Sequence, residues 1–169
     1  MAERKHQSGQ ATLEYVITLA GVVLPLTFAI IFTGELLWVW HSAVDFTRDG
    51  ARYAATHCWQ PGGENVAAYM RTNVPLMVDM DQFRGGQAEI AVDYFRRNAE
   101  TGQLESFACE GGECSTDCIP DTVTVRIRNY DFRGFFNYLG LPPLRMPEFQ
   151  TGLPMEGAGC DPEQGSCLP

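Results

Sequence analysis

Residues 8–34, "SGQATLEYVITLAGVVLPLTFAIIFTG", decide the fold, because they contain a run of twenty uncharged residues from Tyr15 to Gly34. At ~1.5 Å per residue, a helix of this length matches the ~30 Å hydrocarbon core of a bilayer. Pro25 lies in the middle of the run and predicts a kink there. A single carboxylate, Glu14, stands directly before the run, and Gly9 lies five positions earlier. A charge at the mouth of an apolar span needs a physical reason.

The basic residues and the cysteines lie on opposite sides of this run. Arg4 and Lys5 precede it with only Glu3 opposing them, and such cations hold their end of a span in the cytoplasm. An even number of cysteines follows it, and this is typical of disulfides that form in an oxidising compartment. These cysteines are Cys58, Cys109, Cys114, Cys118, Cys160 and Cys167. Both patterns predict a cytoplasmic N-terminus and a C-terminal part outside the cytoplasm.

Three interpretations of the span compete. A secretory signal peptide could be cut near "TFA" (27–29), but Ile30, Ile31 and Phe32 continue the apolar run and would leave an apolar new N-terminus. A plain uncleaved anchor is the second interpretation, and it has no use for Gly9 or Glu14. The third interpretation, a prepilin-type leader, uses both residues.

The order of a basic leader, Gly9, Glu14-Tyr15 and an apolar run resembles the cleavage and assembly motif of type IV prepilins. Glu followed by Tyr is the version found in tight-adherence (Flp-type) systems. Together with Pro25 and "RDGARYAATHC" (48–58), the segment 1–58 resembles the TadE-like family of minor pilins or pseudopilins.

The resemblance implies a processing step and an assembly contact. A prepilin peptidase would cut between Gly9 and Gln10 on the cytoplasmic side, and the apolar helix would be retained. Glu14 and Tyr15 would then serve assembly, with the new amine of Gln10 on one subunit pairing with Glu14 of a neighbour.

The helix is predicted to continue beyond the membrane. An apolar or small residue recurs there at alternating spacings of three and four, which marks one helical face. The residues of this face are Leu37, Trp40, Val44, Thr47, Ala51, Ala54 and Cys58. "QPGG" (60–63) should end the helix, because proline lacks a donor and glycine tolerates left-handed geometry. Two helices broken near Gly34-Glu35 are the alternative.

The remaining residues predict a small α/β head. Residues 64–73 read as a short helix, 88–97 as a strand, and 104–108 as its hairpin partner after the turn at 98–102. Residues 122–128 alternate, so Val123, Val125 and Ile127 should face a core. The Pro- and Gly-rich tail 139–157 can hold an irregular edge strand.

These elements predict an α+β fold: a pilin-like lollipop whose long transmembrane helix packs on a small antiparallel sheet, with a disulfide-stapled head. The expected segments are a leader (1–9), the transmembrane half of the helix (10–36), its extracytoplasmic half (37–60), and a head with a cysteine-rich loop and tail (61–169).

The cysteines indicate staples rather than a metal or redox site. "CEGGECSTDC" (109–118) has neither the C-x₂-C pairs of zinc ribbons nor a redox C-x-x-C motif. Six cysteines allow 15 pairings, of which Cys160–Cys167 is the favoured local one because it would tie down the tail. The acidic cluster Glu110, Glu113, Asp117 and Asp121 could hold calcium, although a solvated loop is favoured. No cofactor or metal is predicted.

Composition and motifs exclude several function classes. The net charge of −9 and the absence of a basic stripe argue against nucleic acid as a partner. No G-x-S-x-G, phosphate loop or H-E-x-x-H motif is present, so no enzymatic activity is expected.

The sequence therefore predicts a structural subunit, a minor pilin or pseudopilin, of a tight-adherence pilus or its initiation or tip complex. Its expected partners are a prepilin peptidase, other pilin subunits and the bacterial inner membrane. Its head would be periplasmic or part of an extracellular pilus. The alternative is a signal-anchored extracytoplasmic module for binding or adhesion that is not incorporated in a pilus.

Overall fold

The computed structural model describes residues 7–110, 112–134, 137, 140, 142–155, 157–161 and 163–168. The predicted basic leader, with Arg4 and Lys5, lies outside this part apart from its last three residues. The described chain begins with helix α1 (Gln7–Thr18), continues through a π-helical segment (Leu19–Val23) and enters helix α2 (Leu24–Thr56). The helix is therefore continuous past Gly34, and the alternative of two helices broken there is wrong.

The π-helical segment ends at Val23, two residues before Pro25. The N–H of Leu24 donates to the carbonyl of Leu19, five residues back. In a regular α-helix the ring of Pro25 would clash with the carbonyl of Gly21 and leave it without a donor. The wider turn carries the chain past this position, so the irregularity predicted at Pro25 takes the form of a π-helical segment.

A four-stranded antiparallel sheet forms the centre of the head. Its strands are β1 (Glu89–Arg97), β2 (Leu104–Ser106), β3 (Thr122–Arg128) and β6 (Phe149–Pro154), in the order β2-β1-β3-β6. The predicted hairpin, the central alternating strand and the edge strand in the tail are all confirmed. Val123, Val125 and Ile127 are buried as expected.

The outer half of α2 covers the inner face of this sheet. Its buried residues are Val39, Ala43, Phe46, Thr47, Gly50, Ala51 and Ala54. The hydroxyls of Thr47 and Thr151 lie 2.9 Å apart, and Trp40 packs edge-on against Phe149 with ring centroids 5.1 Å apart. These contacts join the helix to strand β6.

The predicted stripe on α2 is correct only in its outer half. Thr47, Ala51 and Ala54 are buried, whereas Leu37 is 63% exposed and Trp40 is 42% exposed. The buried face begins instead at Val39 and continues through Ala43 and Phe46. A pattern with alternating spacings of three and four can be drawn along either of two adjacent faces of a helix. The sequence also does not show at which residue the head begins to cover α2.

The other elements are short. Helix α3 (Glu64–Thr72) is confirmed, with Val66, Ala67 and Met70 buried. Helix α4 (Met80–Arg84), the hairpin of β4 (Asp131–Phe132) with β5 (Leu144–Arg145), and the hairpin of β7 (Cys160–Asp161) with β8 (Ser166–Cys167) were not predicted. The long helix α2 ends at Thr56, and Gly62 and Gly63 follow with positive φ angles of 68° and 64°.

Three disulfides fasten the head. Cys58 at the end of the long helix bonds Cys114, Cys109 bonds Cys118, and Cys160 bonds Cys167. The local pair favoured from the sequence is thus one of the three. The N–H of Cys58 also donates to the carbonyl of Leu168 at 2.8 Å, so the C-terminal hairpin is held against the end of the helix. The α+β lollipop with a disulfide-stapled head is confirmed.

Candidate assembly site: the N-terminal helix

The four residues of the predicted processing and assembly motif lie together on α1. Gly9, Gln10, Glu14 and Tyr15 are all exposed. The Gln10 Nε2 donates to Glu14 Oε1 at 3.3 Å, because positions four apart share one face of a helix. The carboxylate therefore lies one turn from the residue whose backbone nitrogen would become the N-terminus after cleavage at Gly9.

The surface of the helix from Tyr15 to Ile31 is largely apolar and exposed. Among the described residues, one helix (Gly9–Thr56) is long and apolar enough to cross a membrane, and none of its most apolar window is buried. As far as Ile31, the exposed large apolar side chains of this helix are Leu13, Tyr15, Val16, Ile17, Leu19, Val22, Val23, Leu24, Leu26, Phe28, Ile30 and Ile31. An apolar surface of this extent requires lipid or other helices around it.

Two hydroxyls inside the apolar run are satisfied within the helix itself. The hydroxyl of Thr27 donates to the carbonyl of Val23, and that of Thr33 donates to the carbonyl of Ala29, each at 2.8 Å. Such bonds lower the cost of placing a hydroxyl in hydrocarbon. Glu14, at the mouth of the run, is a charged group, and a partner of opposite charge would offset the cost of placing it near hydrocarbon.

The cysteines lie far from this motif and form a structural group. All six are in disulfides, with Cα–Cα distances of 4.8 Å (Cys58–Cys114), 5.7 Å (Cys109–Cys118) and 3.9 Å (Cys160–Cys167). In the acidic loop, the Asp121 carboxylate accepts a hydrogen bond from the N–H of Arg97 at 2.7 Å. Within the described ranges, no group of three or more His, Cys, Asp or Glu side chains is placed to hold a metal ion.

One feature of the head next to the span was missed from the sequence. Phe132 of β4 packs on Phe32 of the apolar run, with ring centroids 5.7 Å apart. Close by, Leu76 and Met77 are exposed on the loop before α4. The one available signal was the apolar pair directly after Pro75, in a segment that is otherwise turn-like.

The comparison with protein families bears on the helix alone. Residues 9–52 match the family model described as TadE-like protein. The long helix is thus similar to this family over residues 9–52 of the 169-residue chain. The match starts at Gly9 and includes Glu14, Tyr15 and Pro25, so the predicted resemblance is confirmed for this segment. No curated protein and no solved structure matches the chain.

The similarity to TadE-like proteins and the uncovered apolar surface of the helix support one conclusion. They indicate a membrane-anchored, pilin-like protein that is associated with a tight-adherence pilus and its other subunits. The match ends inside α2 and leaves the head outside it. A structural rather than an enzymatic role fits this family.

Proposed function

We propose that the chain is a minor pilin or pseudopilin, cut between Gly9 and Gln10 by a prepilin peptidase and assembled through its N-terminal helix into a tight-adherence pilus or its initiation or tip complex. The observation that carries the proposal is the lone carboxylate of Glu14, one helical turn from Gln10, at the mouth of an uncovered apolar helix. A signal peptide or a plain anchor has no need for this carboxylate.

Cleavage would change the electrostatics of the helix start. It would create a cationic amine on Gln10 and leave the first backbone N–H groups of the helix without partners. A carboxylate near such an end is stabilised by the helix dipole. An ionised carboxylate at the centre of a bilayer costs ~2.5–3.5 kcal/mol, and less near the interface. The Gln10 amine of a neighbouring subunit would offset that cost, because opposite charges attract strongly in a low dielectric.

The proposal also includes a membrane topology. The helix would remain in the inner membrane before assembly, with the Gln10 end cytoplasmic and the head in the periplasm. The three disulfides support this orientation, since they form and persist in oxidising compartments. The resemblance implies a minor subunit, because the bulk pilins of these systems almost lack a head. A head built on a four-stranded sheet suits a tip, initiation or adhesive position.

The test compares two carboxylates at the two ends of the apolar run. Glu14→Gln and Glu35→Gln each remove one charge and keep the side-chain shape. The proposal predicts that both variants reach the membrane and are cleaved, and that only Glu14→Gln is lost from sheared pilus fractions or abolishes pilus formation. Immunoblots of membrane fractions control for expression. Normal assembly of Glu14→Gln would favour the alternative of an anchored binding module.

A further inference from the structure

One edge of the head lies against the C-terminal end of the apolar run. The Phe132 ring packs on Phe32, which lies two residues before the last residue of that run, Gly34. A run of twenty residues matches the ~30 Å hydrocarbon core. If the helix spans the bilayer as proposed above, Phe132 and the loops beside it therefore lie at the boundary between hydrocarbon and headgroups.

An apolar loop projects from this edge of the head. Leu76 and Met77 line an open cleft of about 390 Å³ together with Glu35 and Val39 of α2. Leu76 is fully exposed (103%) and Met77 is 46% exposed, whereas the next residue, Val78, is buried. Leu76 and Met77 thus point away from the core. They lie beside the first turns of α2 that follow the apolar run.

The loop is fixed on its C-terminal side. The N–H of Val78 donates to the carbonyl of Pro75 at 3.0 Å, which closes a turn around Leu76 and Met77. The N–H of Asp79 donates to the hydroxyl of Tyr130 at 2.9 Å. The exposed pair is therefore held in position by contacts with the head.

The chemistry of the surroundings favours a lipid interface as the occupant. Trp38 and Trp40 are 64% and 42% exposed on the adjacent turns of α2, and tryptophan is enriched where membranes meet water. The cleft carries no excess of positive charge: Arg133 pairs with Asp79 at 3.7 Å, Arg145 pairs with Asp131 at 3.2 Å, and a further carboxylate, Glu35, lines it. Apolar insertion, rather than attraction to anionic lipid, is the interaction that this surface offers.

We propose that Leu76 and Met77 insert into the interfacial layer of the bilayer that the helix spans, so that the head rests on the lipid surface until the subunit is assembled. The inference rests on the membrane anchoring in the proposed function. The surface around Leu76 and Met77 is continuous with the span, because the head contacts the helix at Phe32, within the apolar run. This continuity supports the inference. Burying large apolar side chains such as leucine and methionine away from water is favourable, so even a two-point contact would hold the head against the lipid.

The test uses the full chain reconstituted in nanodiscs of phosphatidylethanolamine and phosphatidylglycerol. The photocrosslinker p-benzoylphenylalanine is placed at Leu76, at Ile30 in the apolar run, or at Leu104 on β2, which is an exposed leucine far along the chain from the span. After irradiation, covalent lipid adducts are counted by mass spectrometry. Disulfide mapping of each variant checks that the head is folded.

The proposal predicts lipid adducts at positions 30 and 76, with about tenfold more at 76 than at 104, the factor that ~1.4 kcal/mol of transfer free energy gives. The same ratio is expected with phosphatidylethanolamine replaced by phosphatidylcholine and phosphatidylglycerol omitted, because the cleft has no excess of positive charge to attract anionic lipid. Adducts at 30 but no excess at 76 would overturn the inference alone. A covalent dimer through position 76 would also overturn it, since a second subunit would then occupy the surface. Absence of adducts at both 30 and 76 would overturn the membrane anchoring as well.

Discussion

Gly50 of the long helix lies directly against Met70 of α3. A Cβ at position 50 would overlap the sulfur of Met70 and lie 3.1 Å from its Cγ and Cε. Met70 is fully buried, so its side chain has little space into which to retreat. The close approach of α3 to the outer half of α2 therefore depends on the absence of a side chain at position 50.

Gly50→Ala should destabilise the head. Overpacking costs ~1–3 kcal/mol, and the better helix propensity of alanine returns only ~0.5–1 kcal/mol. We expect a net loss of about 1 kcal/mol in the free energy of unfolding, measured by urea denaturation of the detergent-solubilised chain. Gly34→Ala is the matched control in the same helix, because a Cβ there meets nothing within 4 Å. Equal stability of the two variants would contradict this packing.

The secondary structure of the head was largely predictable because its signals are local. Alternation over 122–128 and turn residues at 98–102 specify strands and a hairpin wherever they pack. Helix α3 was predictable for the same reason, because glycines precede it and Pro75 follows it in the sequence. The continuous helix followed from an apolar run joined to a periodic segment.

What the sequence did not show depends on contacts between distant residues. The face of α2 that is buried is decided by where β3 and β6 lie, so Val39 is covered and Leu37 is not. The pairing of Cys58 with Cys114 depends on the path of a loop with a sequence separation of 56. The contact of Phe32 with Phe132 joins the span to the head and has no local signal. The motif at Gly9 and Glu14 was readable because its residues are close in sequence.

Gly159→Ala should be more damaging than Gly165→Ala, although both residues have positive φ angles, of 67° and 63°. A Cβ at position 159 would overlap the carbonyl oxygen of Thr56 and lie 3.1 Å from the Cα of His57, whereas one at 165 meets nothing. Backbone atoms cannot move aside as a flexible side chain can. We expect Gly159→Ala to lose roughly 1–3 kcal/mol more. Thermal unfolding of both variants measures the difference, and similar melting temperatures would show that the C-terminal hairpin does not dock on the helix end.

The disulfides should differ in their contribution to stability. Cys58–Cys114 closes a loop with a sequence separation of 56, and Cys160–Cys167 one with a separation of 7. The loop-entropy relation gives ~4 kcal/mol for the longer loop and ~2–3 kcal/mol for the shorter. Paired replacements by alanine, compared by chemical denaturation, should therefore rank in that order. A peptide map of the non-reduced protein that joins Cys58 to another cysteine would contradict the assigned pairing.

Alkaline pH should destabilise the head through Tyr94. Burial raises the pKa of Tyr94 to about 12, and the side chain is only 6% exposed. The hydroxyl loses its proton more readily in the unfolded chain, where its pKa is ~10. The stabilising contribution is thus complete below pH ~10 and is lost as pH rises toward ~12, by on the order of 2–3 kcal/mol. Tyr94→Phe should flatten this decline in the free energy of unfolding. An unchanged pH dependence in that variant would show that Tyr94 is not the group responsible.

The most direct test of the account is the N-terminus of the mature protein. The full chain should be expressed in a host that carries a tight-adherence prepilin peptidase, extracted from the membrane, and analysed by intact mass and N-terminal sequencing. The account predicts a chain that begins at Gln10 and retains the entire apolar helix. A chain that begins after Ala29, or one that still carries Met1 while the peptidase processes its other substrates, would contradict it.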